Sequence, residues 1–405
     1  MSEPIKQTVD QPRVGTGRPT PALTFVALAI AALFAVPGGY VLWRTATAQV
    51  DHLDLLTSAA TLDPLWRTVQ LAVLVSTTAA LLGTGLAWLT TRTDLPLKRF
   101  WRIVVPLPLV YPSFVGAAAF LSGLTPGGIV HDLAGAIGFD LNLRLHGLFG
   151  AWLVLTLFTY PYVYLPVAAR LAALPRGLEE NARLLGDRPR TVFRRIVFPQ
   201  ITSSVAAGAL LVFLYTVSDF GAVHLMRFET LTQTIFRTRL FDQDRSFTLA
   251  FLLLALALLV IATERTVARR GARSAIISNQ PALQVPLGRM KPLALTAISF
   301  VVGLALFAPA ISLADWGLFG WLRDQNGTTA LRMDWSDVIV PTWNTIWISL
   351  VAASHSRHVA YRLSAGPPPL SHRRLGQHGG GGWVRYSRPC RSAFAYFLDP
   401  PRFAL

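Results

Sequence analysis

The stretch Glu179–Gln200, EENARLLGDRPRTVFRRIVFPQ, decides how this chain folds. It lies between two long apolar segments and is dense in arginine: Arg183, Arg188, Arg190, Arg194 and Arg195. A loop this basic beside hydrophobic spans belongs on the cytoplasmic side of a membrane. Glu180 to Leu185 predicts a turn or two of helix. Gly186 breaks it, Pro189 opens a second short helix, and Pro199 stands where a membrane helix restarts. Val192, Phe193, Ile196 and Val197 line one side of that second helix, with the arginines on the other. The expected local structure is a helix–turn–helix whose apolar face needs a partner from outside the loop.

Outward from this loop, composition points the same way. Of 405 residues 52% are hydrophobic and only 14% charged, with a mean hydropathy of +0.45. A soluble domain of this size carries far more charge, so a polytopic, all-α membrane protein is expected. The net charge of +16 sits in loops between apolar spans, as topology signals do, and no nucleic-acid partner is implied. A single cysteine, Cys390, excludes a disulfide framework. The histidines have no ligand spacing, and no Gly-rich phosphate loop is present, so the chain is expected to bind neither metal nor ATP.

Taken in order, residues 1–20 are a cytoplasmic N-terminal tail. Apolar spans follow at about 22–43, 68–90, 103–123, 148–169, 205–223 and 247–263, and the first is long enough to be a retained helix. Pro106, Pro108 and Pro112 mark a kink at the start of the third. The region 224–245 should be external, but its arginines call for a short amphipathic or re-entrant segment. Residues 21–265 therefore form one six-helix unit, and 266–291, with Pro281 and Pro286, a cytoplasmic linker. A seventh span runs over 292–313, and an eighth begins near Trp343.

Trp66-Arg67-Thr68-Val69-Gln70-Leu71-Ala72 and Trp343-Asn344-Thr345-Ile346-Trp347-Ile348-Ser349 match in character, each after a proline, Pro64 or Pro341. A second half thus begins to repeat the first over 292–353. It stops at Ala353, too soon to complete a span. From Ser354 to Leu405 eight arginines face one acid, Asp399, beside Pro367-Pro368-Pro369 and Gly379–Gly382. This is a basic, low-complexity tail. Its alternatives are a lipid- or metal-binding tail, a solvated disordered tail, or the product of a shifted reading frame near codon 353; the abrupt break inside a repeated element favours the last.

The order Glu180, Ala182, Gly186, Phe193, Pro199 resembles the EAA loop of binding-protein-dependent ABC importer permeases. That motif has glycine four residues after its second alanine, phenylalanine seven further on and proline six beyond that. Each spacing holds here, and one letter departs, Asn181 standing at the first alanine. In that family the loop is a coupling helix docked in a groove of the ATPase subunit; the plain alternative is a basic loop that only obeys topology. The runs LAWLTTRTDLPLKR (86–99), LTLFTYPYVYLPVAAR (155–170), FLYTVSDFGAV (213–223) and LTQTIFR (231–237) look like the ferric iron permeases, whose double-length chain carries two six-helix halves. The likeness covers about residues 60–353.

The resemblance implies a permease core in a bacterial inner membrane, with membrane lipid around it and the N-terminus cytoplasmic. A periplasmic binding protein delivers substrate, and two ABC ATPase subunits use the ATP. The permease itself performs no covalent chemistry and binds no cofactor. Relatives carry thiamine, polyamines, sulfate or phosphonates, and short motifs do not separate them. A chain with one coupling loop would need a homodimer or a second permease half to transport, and otherwise is a non-functional remnant. The rival from another class, a multi-pass membrane enzyme such as a lipid-linked transferase, needs a charged cluster on an external loop, and the loops offer only scattered Asp and His.

Among single residues, Glu180 is expected to meet donors in an ATPase groove or to stabilise its own helix N-terminus. Phe193 is the loop's candidate anchor, or packs beneath it. Asp219, beside Ser218, is a carboxylate near the end of a span: a translocation-path residue, or a helix-end residue at the water interface. Tyr160, Tyr162 and Tyr164 offer phenol oxygens to a passing cation, or belong to an aromatic belt and helix packing.

Overall fold

The computed structural model describes residues 21–124, 128–138, 145–174, 176–271, 284–318 and 335–364. Helices α1 (Pro21–Thr47), α2 (His52–Thr57), α3 (Ala59–Arg92), α4 (Lys98–Val104), α5 (Ser113–Leu124), α6 (Ile129–Ala136), α7 (Gly147–Thr159) and α8 (Pro161–Ala173) come first. Then come α9 (Arg176–Leu184), α10 (Pro189–Val192), α11 (Phe198–Ser218), α12 (Gly221–Leu225), α13 (Leu231–Thr238), α14 (Gln243–Gly271), α15 (Lys291–Val302), α16 (Ala308–Leu318) and α17 (Trp335–Ser364). Among the described residues no β-strand forms, and the fold is all-α and polytopic. Six stretches are long and apolar enough to cross a membrane: Ala27–Thr47, Ala59–Arg92, Gly147–Ala173, Phe193–Ser218, Gln243–Thr263 and Gly288–Asp315.

The third expected span, 103–123, is not one helix. Lys98–Val110 and Ser113–Leu124 meet at a bend of 97°. Pro106, Pro108 and Pro112 remove three amide donors in seven residues, more than a continuous helix tolerates. The fifth span also ends early: α11 stops at Ser218, and 221–223 lie in the separate helix α12. The segment 224–245, expected to be short and amphipathic or re-entrant, forms the end of α12 and the short helix α13. Its charges are paired there, Arg237 to Glu229 at 2.9 Å, Arg67 to Glu229 at 3.3 Å and Arg44 to Asp244 at 3.2 Å.

The core is built where α3, α8, α11 and α7 pack on one another, around Leu71, Val75, Leu155, Val163, Ile201 and Val212, all buried. Two glycines permit the approach. A Cβ on Gly83 would lie 2.8 Å from the Tyr160 carbonyl oxygen, and one on Gly208 would lie 2.7 Å from the Val163 Cα. In contrast, α1 and the outer side of α3 leave Phe25, Phe34, Val73 and Leu81 exposed, as a lipid-facing surface requires.

The chain divides into two compact units, Met1–Gly327 and Thr328–Leu405. The boundary differs from the repeat boundary expected at 266–291. Helices α15 and α16 stay with the first unit because they pack on it: α16 contacts α5, and the Tyr111 hydroxyl donates to the Leu306 carbonyl at 3.3 Å. The second unit contains α17, described by itself. It runs on to Ser364, past the compositional break at 354, because no glycine or proline interrupts it before Gly366. The expected tail at 1–20, and residues 365–405 of the tail expected over 354–405, lie outside the described residues.

Candidate functional site

The loop Glu179–Gln200 begins on α9, which carries Glu180 and Ala182. Gly186 takes φ +90°, a conformation glycine adopts without strain. The Gly186 amide donates to the Arg183 carbonyl at 3.0 Å and the Asp187 amide to the Ala182 carbonyl at 3.1 Å. This pair of bonds closes α9 with a Schellman turn. Pro189 then opens α10, and a π-turn over Phe193–Val197 carries the chain into α11 without a break. The second helix of the expected pair is therefore the leading end of the fifth span. Pro199 is exposed in the first turn of α11, directly after the π-turn, so the irregular register falls where proline withholds its amide.

The apolar stripe finds its partner inside the chain. Val192 and Val197 are buried, and the Phe193 ring meets Trp88 of α3 edge-on, centroids 5.0 Å apart. Arg194 and Arg195 face outward, as the periodicity predicts. Phe193 thus supports the loop from beneath. The apolar side chains the loop exposes most are Leu184 and Leu185, 85% and 88% exposed at the turn, ahead of Phe198 at 52%. Sequence reasoning missed both, since two leucines at a helix end carry no motif signal.

Ala182 is buried and Glu180 half-buried. The carboxylate that structure singles out is the neighbouring Glu179. It is buried and lies 2.7 Å from the Arg92 guanidinium at the end of α3, itself fully buried. In the sequence Arg92 is one more topology-setting arginine. Beside it the lead-in to α15 is bound: the Val285 amide donates to the Arg92 carbonyl at 2.7 Å, the Leu287 amide to Asp94 Oδ1 at 2.8 Å, and Lys291 Nζ pairs with Asp94 Oδ2 at 2.8 Å. The hydrogen bond from Lys291, then that from Leu287, holds the Asp94 carboxyl below its ordinary range. Trp88, Phe193, Arg194, Glu179 and Val285 line a groove of about 370 Å³ at this junction.

The path candidates are spread over two layers. Asp219 is buried just past α11. It accepts from the Ser113 hydroxyl and from the Ala222 amide at 2.9 Å, so it caps the short helix α12 against α5. Ser218 is exposed, its hydroxyl turned back to the Leu214 carbonyl at 2.9 Å. Tyr160 is fully buried and donates to the Val105 carbonyl at 2.6 Å; Tyr164 shares a hydrogen bond with Thr90 at 3.1 Å. Both tyrosines tie α8 to its neighbours. Tyr162 is half-buried against Tyr215, centroids 5.8 Å apart. Among the described residues no group of three or more His, Cys, Asp or Glu could hold a metal ion.

Residues 79–270 match the family model for the binding-protein-dependent transport system inner membrane component. The Fe(3+)-transport system permease protein FbpB 2 of Haemophilus influenzae is 29% identical over 60% of this chain and 45% of its own length. The inner membrane ABC transporter permease protein YdcU of Escherichia coli is 32% identical over 44% of this chain and 61% of its own. The molybdenum transport system permease protein ModB of Mycobacterium tuberculosis is 27% identical over 51% of this chain and 80% of its own. The chain spans about half the length of the first two of these relatives.

Proposed function

We propose that the chain, whose residues 79–270 match the family model for the binding-protein-dependent transport system inner membrane component, is a member of that family and the permease subunit of an ATP-driven importer. In this reading it crosses a bacterial inner membrane several times with its N-terminus in the cytoplasm. A periplasmic binding protein delivers the substrate, and ABC ATPase subunits drive its passage. The permease performs no covalent chemistry and holds no cofactor of its own.

The observation that carries the reading is the loop Glu179–Gln200. It is a rigid helix, Schellman turn and helix, held from beneath by Trp88 and presenting Leu184 and Leu185 outward. An amphipathic knob with a basic rim is suited to a groove on a partner. Reversing charge at Glu180 together with Gly186→Pro should abolish co-purification of the ATPase while the permease still accumulates in membranes. Retained ATPase binding in that double variant counts against the coupling role.

We propose ferric iron as the substrate, supported by the runs at 86–99, 155–170, 213–223 and 231–237 and by the Haemophilus relative. Molybdenum and sulfate permeases are also among the relatives, so uptake of the three substrates is to be compared directly in vesicles with the cognate ATPase and binding protein. We propose that the working unit pairs this permease half with a second one, from another copy or another chain. Cross-linking of the purified importer decides between them.

A further inference from the structure

We infer that Arg92 is a positioning residue: it is the joint that holds the coupling helix α9 and the lead-in to α15 on the end of α3, so that the three move together. The inference rests on the coupling role proposed above and adds what fixes the coupling loop to the membrane helices. Three observations carry it. The first is the buried pair itself. Arg92 is 0% and Glu179 4% exposed, and their charged groups lie 2.7 Å apart. Two charges are kept out of water only when each satisfies the other, and loss of either strands its partner. Because Glu179 lies on α9, directly before Glu180 and Ala182, this pair sets where the motif stands relative to α3.

The second is the backbone of the same residue. The Arg92 carbonyl accepts from Val285 at 2.7 Å, and Asp94, two residues on, holds Leu287 and Lys291 at 2.8 Å each. Lys291 is the first residue of α15. Val285 also borders the groove that contains Phe193 and Trp88. One turn of chain therefore grips α9 by a side chain and the lead-in to α15 by backbone and carboxylate. The third is the stiffness of the turn. Lys98 Nζ donates to the Thr91 and Thr93 carbonyls at 2.9 Å each, and Arg102 Nε to the Thr90 carbonyl at 3.1 Å. These cations satisfy the carbonyls that a helix end leaves free. A push on the coupling loop thus reaches α3 and α15 together, as well as α11, with which the loop is continuous.

The test uses the full chain in inside-out membrane vesicles, with neither ATPase nor substrate present. Limited trypsin digestion reports cleavage after the exposed Arg183, three residues before Gly186. Glu179→Gln and Arg92→Gln should each be cleaved on the order of tenfold faster, since breaking a buried pair costs more than the 1.4 kcal/mol that a factor of ten represents. The reversed pair, Arg92→Glu with Glu179→Arg, should recover much of the protection, which a merely bulky or apolar role for these side chains would not allow. Asp94→Asn should leave loop cleavage unchanged while speeding hydrogen exchange at Val285 and Leu287. Wild-type cleavage rates in both single variants, or a reversed pair no better protected than either single, overturn the inference. If the single variants do not accumulate, Arg92→Lys serves, because it keeps the charge and loses the guanidinium fork; cleavage a few-fold faster supports the joint, and an unchanged rate overturns it. A loosened loop that still binds ATPase normally removes the coupling role and leaves the joint standing, whereas an unchanged loop removes the joint whatever the ATPase does.

Discussion

Gly186 holds φ +90°, and any side chain placed there pays the left-handed penalty of about 1–2 kcal/mol. Gly186→Ala should therefore fray the end of α9, seen as faster hydrogen exchange at Gly186 and Asp187, while the α3–α8–α11 core is unaffected. Nothing stands within 4 Å of the added methyl, so a large global loss of stability would point to some cause other than the turn. Asp94 makes a second residue-scale prediction. Its folded carboxyl titrates below the ordinary value of 3.8 because of Lys291 and Leu287. A depressed folded value means the contact stabilises fully above the unfolded value and fades as pH falls through the folded one. The clasp at 284–291 should thus be insensitive to pH near neutrality and open only in strong acid. Exchange at Leu287 measured across acid pH checks this, and Asp94→Asn should remove the acid-dependent step. The loop's glycine and proline were legible in sequence because backbone geometry is local. Which of Glu179 and Glu180 turns inward was not, since that depends on where Arg92 lies.

At the scale of elements, helix packing turns on Gly83 and Gly208, where the backbones of α3 and α11 approach α8 too closely for a Cβ. Substitution by alanine forces main chains apart, since the nearest atoms are backbone and cannot rotate away. Gly83→Ala and Gly208→Ala should each cost roughly 1–3 kcal/mol, as overpacking does, measured by thermal unfolding in detergent. Gly85, on the same helix with nothing within 4 Å, is the control. Gly85→Ala should be neutral or slightly stabilising, by about 0.5–1 kcal/mol, through helix propensity alone. Equal losses at Gly83 and Gly85 would remove the packing explanation. Span positions were legible because hydrophobic length is a one-dimensional property. The 97° bend between Lys98–Val110 and Ser113–Leu124 was only half legible. Three prolines announce a break, but its angle follows from Tyr111 and Phe120 packing on Phe158.

For the whole molecule, topology is the property to measure. Asp187 sits in the loop Glu179–Gln200, and Phe241, 91% exposed, in the segment expected outside. With Cys390 replaced by serine, single cysteines at these two positions should label from opposite faces of the membrane with an impermeant maleimide, position 241 in intact cells and 187 only after lysis. Labelling of both from one side would invert or discard the arrangement. Helices α3 and α17, which hold the two copies of the expected repeat, are both long, of 34 and 30 residues, each with a proline inside its first two turns, Pro64 and Pro341.

By itself the sequence determined the membrane class, the rough placement of most spans, the helix–turn–helix at 179–200 and the family likeness. All of these depend on local composition or on residue order at fixed spacing. The tertiary structure alone decided the rest. It packed a half-buried Phe193 edge-on against Trp88, left Leu184 and Leu185 outward, paired Glu179 with Arg92 and kept α15 and α16 with the first compact unit. Each of these joins residues far apart along the chain, and which long-range contacts form is settled only when whole helices compete for the same buried surface.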